Sequence, residues 1–229
     1  MNRSAAGSAT LHLQGEQLEL LGSRAAWDPA RQLLLVADLH LGKAETFQQH
    51  GIPLPSDGDA STLNALLELA HQWQPRQLIV LGDLIHSRLG LGAELRAKLA
   101  ALPELLGCPL RLVGGNHERG SWIEGLPQEP AQAIGPWWLS HETDPQPGLL
   151  NICGHLHPVA LLGNRRERLR LPCFSYCRQQ QRLALPAFGA LTGGMPLPPG
   201  EQQWLLAEGQ VLPLRPDPQP PGHAAHRRG

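Results

Sequence analysis

Apolar residues in this chain gather in short runs, each closed by glycine or a polar residue. Leu33 to Ala37, Leu78 to Leu81, Leu110 to Val113 and Leu149 to Cys153 are nearly continuous, the pattern of strands buried on both faces. Between the first two runs, Leu63, Leu66, Leu67 and Ala70 repeat at helical spacing after Ser56, which predicts a helix capped by that serine. A second helix is predicted from Ala93 to Leu105. Strand and helix thus alternate through the first half. After Gly154 the helical spacing disappears. Val159 to Leu162, Arg168 to Cys173 and Arg182 to Leu185 read as strands, and Trp204 to Leu214 as a hairpin turning at Glu208-Gly209. A second sheet packed on the first is the expected result. From Arg215 onward Pro, Gly, Arg, His and Ala replace core-forming residues. Residues 215–229 are therefore expected to be disordered, and residues 9–214 to form one domain.

The 229 residues carry a formal charge of −1 and a pI near 6.8, so no global field draws in a polyanion. Any nucleic-acid contact has to come from a local patch. Cys108, Cys153, Cys173 and Cys177 lack the spacing of a disulfide framework, which predicts a reducing, cytoplasmic setting. No stretch approaches the ~18 apolar residues of a membrane span, and Met1 to Thr10 has no apolar export core. A soluble, unexported protein is expected.

Chemistry-bearing residues close the apolar runs in five blocks: Asp38-Leu39-His40, Gly82-Asp83, Gly115-Asn116-His117-Glu118, Ser140-His141 and Gly154-His155-Leu156-His157. Period two in an extended chain sends Asp38 and His40 to one face, where carboxylate and imidazole can grip a cation. The plain alternative is a turn cap beside an exposed imidazole. Asp83, ending a buried strand, can lend one oxygen to each of two ions, or can cap the next helix. Asn116 offers a neutral oxygen ligand. His117 beside it stays free to donate a proton, kept cationic and oriented by a carboxylate such as Asp38 or Glu118. His155 and His157 can reach different ions, with Gly154 permitting close backbone approach. His141 supplies another nitrogen or is an ordinary surface histidine. Seven oxygen and nitrogen donors of this kind suit a hydrolytic pair of divalent metals.

In this order, DLH, GD, GNHE, SH and GHLH resemble the motifs of the calcineurin-like metallophosphoesterases across residues 36–158. The resemblance implies an α/β fold, a four-layer αββα sandwich of two mixed β-sheets flanked by helices. It implies that Asp38, His40, Asp83 and His157 hold one metal, that Asp83, Asn116, His141 and His155 hold the other, and that His117 is the general acid. Where the broader family reads GDxxDR, this chain reads GDLIHSR from Gly82 to Arg88, which leaves His86 either beside the ligands or facing substrate. DLHLGK from Asp38, GIPLP from Gly51, GDLIHS from Gly82, RLPCF from Arg170 and LPAFGALTGG from Leu185 are similar to a bacterial subgroup of ligase-associated DNA-damage-response endonucleases. For that subgroup the resemblance implies manganese-dependent phosphodiesterase activity and a functional association with an ATP-dependent DNA ligase and a helicase. Iron and zinc suit the same mixed ligands.

Two divalent ions bring four positive charges and Asp38 with Asp83 removes two, so a phosphate substrate is favoured on charge alone. A hydroxide bridging the ions is the expected nucleophile, and His117 the donor to the leaving oxygen. Lys43, His86 and Arg88 are candidate substrate contacts. Arg165, Arg166, Arg168 and Arg170 form a candidate phosphate rim, or a solvated strand edge. The run from Ala190 to Gly194 either brings backbone N–H groups toward the ions or makes a tight turn needing positive φ. Cys173 and Cys177 read as ordinary thiols rather than zinc ligands, and Trp137-Trp138 as core rather than a stacking platform. The sequence thus reads as a dinuclear-metal-dependent phosphodiesterase, specifically a DNA endonuclease of repair. Its alternatives are a small-molecule phosphoesterase and a non-catalytic scaffold of the same fold.

Overall fold

Antiparallel and parallel pairing divide the first sheet in the computed structural model, which describes residues 7–55, 57–118, 123, 125–163 and 167–214. Strands β1 (Ala9–Leu13), β2 (Glu16–Leu21), β3 (Ala25–Asp28) and β4 (Leu33–Val36) form an antiparallel meander. To it β5 (Gln77–Leu81), β6 (Leu110–Val113) and the short β7 (Gln128–Glu129) add in parallel. Parallel neighbours need a long return connection. Helices α1 (Lys43–Gln49) and α2 (Gly58–Trp73) supply it between β4 and β5, and α3 (Ala93–Leu106) between β5 and β6.

The second sheet takes the remaining chain: β8 (Gln132–Ile134), β9 (Trp137–Ser140), β10 (Leu150–Cys153), β11 (Pro158–Gly163), β12 (Arg168–Cys177), β13 (Arg182–Ala184), β14 (Met195–Pro196), β15 (Gln202–Ala207) and β16 (Gln210–Leu214). Its order is β14-β11-β12-β13-β10-β9-β8, with the β15–β16 hairpin attached to β12. Strands β9, β10 and β13 run parallel, and β12 lies antiparallel to β13. The hairpin turns at Glu208 and Gly209 with φ of 50° and 73°, the paired left-handed conformations of a type I′ turn.

Alternation along β4 explains why it reads as a continuous apolar run. Leu33 and Leu35 point to the cluster between the sheets, with Ile79, Leu81, Trp137, Ile152 and Phe174, while Leu34 and Val36 point to the helices. On the helical side Leu66, Leu69 and Trp73 of α2 and Leu95, Leu99 and Leu102 of α3 complete the packing. Removing one such leucine to alanine costs about 2–5 kcal/mol. The Trp137 indole N–H donates to Asp28 Oδ2 at 2.8 Å, a buried polar tie between the sheets.

The expected strands and both expected helices are present, with ends shifted by a few residues. Strands β1 to β3 and helix α1 lie beyond the sequence expectation, because Gln, Glu and His interrupt the apolar positions of β1, β2 and α1 and because β3 spans only four residues. Ser56, the expected cap, is outside the described residues; Asp57 holds the N-cap position of α2 and makes no side-chain cap bond. Residues 215–229 are also outside them. The two mixed sheets are as expected, whereas the helical cover is one-sided among the described residues. The outer face of the second sheet carries a small cluster of Ala160, Cys173 and Leu205, edged by Leu162 and Leu214. Among the described residues, no helix is long and apolar enough to cross a membrane.

Candidate metal centre

Five strands release their chemistry at one rim, the carboxyl ends of parallel strands, where the backbone leaves the sheet and side chains can converge. Asp38 and His40 follow β4, Asp83 follows β5, Asn116 and His117 follow β6, His141 follows β9, and His155 and His157 follow β10. The stretch Asp38-Leu39-His40 is not extended, so the period-two argument fails in its detail. Asp38 and His40 have φ of 57° and 50°, and Asp83, His155 and His157 share this left-handed region at 50°, 64° and 42°. Non-glycine residues pay of order 1 kcal/mol or more for such backbone, and this strain concentrates at functional sites. Glycine is needed at two neighbouring positions because the space is taken. A Cβ on Gly82 would lie 2.1 Å from His141 Nδ1, and one on Gly154 would lie 2.7 Å from Asp38 Oδ2.

The predicted ligands form two adjoining groups, and His40 meets His86 and His117 in a third. In one, Asp38, His40, Asp83 and His157 each offer an atom within 4.8 Å of the others; in the second, Asp83, His141 and His155 do the same. His40 Nε2 is 3.3 Å from His157 Nε2 and 3.7 Å from Asp83 Oδ2, while His157 Nε2 is 3.3 Å from Asp38 Oδ1. His141 Nε2 lies 2.8 Å from Asn116 Oδ1, 3.2 Å from His155 Nδ1 and 3.5 Å from Asp83 Oδ2. Asp83 belongs to both groups. His155 and His157, two residues apart, fall into different ones.

Proton bookkeeping tests whether cations fit. His141 Nδ1 lies 3.0 Å from the Leu81 carbonyl, which only accepts, so Nδ1 carries the proton. Nε2 is then set against the Asn116 amide oxygen and an Asp83 carboxylate oxygen, both of which offer lone pairs to a positive charge. Asp38 and Asp83 are fully buried or nearly so, at 0% and 2% exposure, and among the described residues their side chains form no ion pair with Lys or Arg. Buried carboxylates and facing lone pairs are costly unless positive charge sits among them. The residues present fit divalent cations.

His117 stands at the mouth beside these groups. Its Nδ1–H donates to the main-chain carbonyl of His86, which directs Nε2 toward Asp83 Oδ2, 3.7 Å away. Neither Asp38 nor Glu118 orients the ring, contrary to the sequence expectation. Asp38 instead accepts the N–H of His155 at 2.9 Å. Glu118 is buried and accepts backbone N–H groups from Gly115, Asp83 and Ile85 at 2.8, 2.9 and 3.1 Å. Burial, and then the neighbouring Asp83, raise its carboxyl above the usual range, against the pull of those three donors. Burial, followed by His157, His117 and His86 and the Lys43 ammonium, pushes the His40 imidazole down to about 2. The ring is thus a neutral donor of lone pairs. Burial, then His117 and Lys43, pushes His86 down to about 4.

His86 itself joins the centre: its ring stacks on that of His117 at 5.1 Å and meets His40 edge-on at 5.6 Å. Lys43 Nζ donates to the Leu191 carbonyl at 3.0 Å, and Arg88 is exposed on the loop after Asp83. The LPAFGALTGG segment runs alongside the ligands, with Gly189 N–H donating to the Asp38 carbonyl at 3.1 Å and Met195 N–H to that of His157 at 3.0 Å. Positive φ is not its requirement, because Gly189, Gly193 and Gly194 have none; a Cβ on Gly194 would lie 2.2 Å from the His157 carbonyl oxygen. Arg24 binds the Ala187 and Gly189 carbonyls from the other side, a contact without any sequence signal. Arg165 and Arg166 are outside the described residues; Arg168 is exposed and Arg170 donates to the Gly194 carbonyl. Cys173 and Cys177 are free thiols four positions apart on β12, roughly 13 Å along a strand, too far to share zinc. Trp137 is core, and the Trp138 indole binds Asp144 Oδ2 at 2.8 Å.

The family model for calcineurin-like phosphoesterases matches residues 32–174, more than half of the chain and every donor named above. The chain belongs to that family. As a calcineurin-like phosphoesterase it is a metal-dependent phosphoesterase. Among solved structures it is similar to the nuclease MPE of Pseudomonas putida, with 33% identity over 90% of this chain and 100% of that one, at a TM-score of 0.76. A conserved uncharacterized protein of Streptococcus pneumoniae, a predicted phosphoesterase, matches at 13% identity over 80% of this chain and 94% of its own, with a TM-score of 0.31. A Vps29 double mutant from Entamoeba histolytica matches at 15% identity over 80% and 96%, with a TM-score of 0.33. Those two are too distant to bear on the site. A comparison with curated proteins finds no significant match.

Proposed function

We propose that this calcineurin-like phosphoesterase is a dinuclear-metal-dependent phosphodiesterase with nuclease activity, in which His117 gives a proton to the leaving oxygen. The observation that carries the reading is the convergence on His141 Nε2 of Asn116 Oδ1, a buried Asp83 carboxylate oxygen and His155 Nδ1, at 2.8, 3.5 and 3.2 Å. Asp38, His40, Asp83 and His157 would hold one cation, and Asp83, Asn116, His141 and His155 the other. Manganese suits this mixture of imidazole, carboxylate and amide, with iron and zinc as alternatives. When bound, the pair supplies positive charge for phosphate oxygens and acidifies a water toward neutrality. The side chains do the rest. The His86 carbonyl holds Nδ1–H, so the second proton of the His117 imidazolium sits on Nε2, points into the site and can pass to the departing oxygen, leaving the neutral ring. Lys43, His86 and Arg88 are the proposed substrate contacts at the rim.

A nucleic-acid substrate is supported by the nuclease that aligns over 90% of this chain, and DNA in particular by the subgroup motifs. The repair role, the functional link to an ATP-dependent DNA ligase and a helicase, and the cytoplasmic location belong to the same proposal. Their support is the set of subgroup motifs and four free cysteines. The test is hydrolysis of bis(p-nitrophenyl) phosphate and of single- and double-stranded DNA, at fixed salt, with and without Mn²⁺. Turnover that requires the metal is expected. Protein shown by elemental analysis to hold two ions, yet inert on every phosphodiester, would overturn the proposal.

A further inference from the structure

Aromatic side chains are scarce here, 4% of the chain, and nearly all of the described ones are spent on packing. Trp27, Trp73, Trp137, Trp204, Phe174 and Phe188 lie in the two main cores, Tyr176 packs against the inter-sheet cluster, and the Trp138 indole is tied to Asp144. Phe47 on α1 is different. It is half-buried, belongs to no core cluster, and its ring lies 5.7 Å from that of His86, tilted by 37°. His86 in turn stacks on His117 at 5.1 Å and 29°, so a ladder of rings leads from the proposed acid outward to Phe47.

Helix α1 starts three residues past His40, and its i, i+4 spacing sets Lys43 and Phe47 on one face. Lys43 Nζ lies 5.9 Å from the Phe47 ring centroid. Apolar surface continues beyond the ring on segments fastened to the helix. Ile52, 48% exposed, donates its N–H to the Phe47 carbonyl at 3.0 Å, and Leu89, 55% exposed, offers its carbonyl to Gln49 at 3.0 Å. Exposed apolar surface beside a polar, cation-binding centre marks a ligand contact. An ammonium next to an aromatic wall matches a ligand that alternates anionic phosphate with flat rings.

We infer that Phe47 is the stacking wall for a nucleobase, or an equivalent flat ring, carried by the phosphodiester whose phosphate lies at the metal centre. Lys43 holds a phosphate oxygen beside it. The inference rests on the phosphodiesterase reading and adds to it the part of the substrate that this side of the centre recognises.

Fluorescence anisotropy with Mn²⁺-loaded protein at one salt concentration tests it. The probes are a phosphorothioate-linked oligothymidylate and an abasic oligomer of the same backbone. Base–aromatic stacking of about 1–3 kcal/mol corresponds to about 5- to 150-fold tighter binding of the base-bearing probe by the wild type. Phe47→Ala and Phe47→Leu should bring that ratio to about one, and Phe47→Tyr should restore it. A purely structural role would weaken both probes alike and leave the ratio standing. A ratio near one in the wild type, a ratio kept by Phe47→Leu, or no saturable binding of either probe would each overturn the inference. Turnover of bis(p-nitrophenyl) phosphate, measured on the same preparation, separates the two readings: a wild-type ratio near one with turnover intact removes the wall and leaves the phosphodiesterase.

Discussion

Oε2 of Glu118 accepts the backbone N–H of Asp83 at 2.9 Å, so one buried carboxylate secures the main chain from which another is presented. The same side chain holds Gly115 and Ile85, and a Cβ on Gly115 would intrude to 2.4 Å from the Asp83 backbone nitrogen. Glu118→Ala leaves three buried donors without a partner, at about 1–3 kcal/mol each, a large part of the stability of an ordinary domain. The expected outcome is a much lower urea midpoint, with Glu118→Gln falling less because one acceptor oxygen remains. An unchanged midpoint for the alanine variant would contradict this role.

Asp83 is the one residue common to both donor groups. Asp83→Asn removes a formal charge and the second shared oxygen, and is expected to abolish binding of both ions. Elemental analysis of the purified variant checks this. Metal content equal to that of the wild type would count against a shared carboxylate.

His117→Ala is expected to lower kcat on DNA by about 10²- to 10⁴-fold, the usual contribution of a positioned acid, while metal content holds. The loss should be smaller with bis(p-nitrophenyl) phosphate, because nitrophenolate leaves without needing a proton. Equal losses on both substrates would indicate that His117 acts by some means other than proton donation.

Burial pushes the Cys173 thiol up to about 12 from a usual value of 9.0, with the Glu201 carboxylate adding to the shift. Since the folded pKa lies above the unfolded one, this contribution to stability is complete below pH 9. It is lost as pH rises from 9 toward 12, by about 1.4 kcal/mol per pH unit. Denaturant melts between pH 7 and 11 should show a shallower alkaline decline in Cys173→Ala than in the wild type. Iodoacetamide at pH 8 should leave Cys173 unmodified in the folded protein, as read by peptide mass spectrometry.

Much of the framework is legible in sequence for local reasons. Leu33 to Val36 and Leu78 to Leu81 announce themselves because both faces of those strands are buried, and Glu208-Gly209 because only a few residues tolerate two consecutive left-handed conformations. Strands β1 and β2 carry exposed or half-exposed Gln, Glu and His between their leucines, and nothing local distinguishes them from a loop, while β3 is only four residues long. Glu118 shows the same limit inside a motif. Its identity is evident in GNHE, but its targets, Asp83 and Ile85, lie 35 and 33 residues away on another strand's exit.

The sequence by itself determined which residues bring lone pairs and charge, and that each follows an apolar run, since strand ends and the glycines beside them are encoded by near neighbours. Only the tertiary structure decided their company. Stacking of the second sheet on the first sets His141 against Asn116 and His157 against His40, and it parts His155 from His157. It also gave His117 a main-chain carbonyl instead of a carboxylate, and set Phe47 beside His86. Contacts between residues tens to more than a hundred positions apart follow from how the two sheets and helices α1 to α3 share their cores, and no local pattern carries that information.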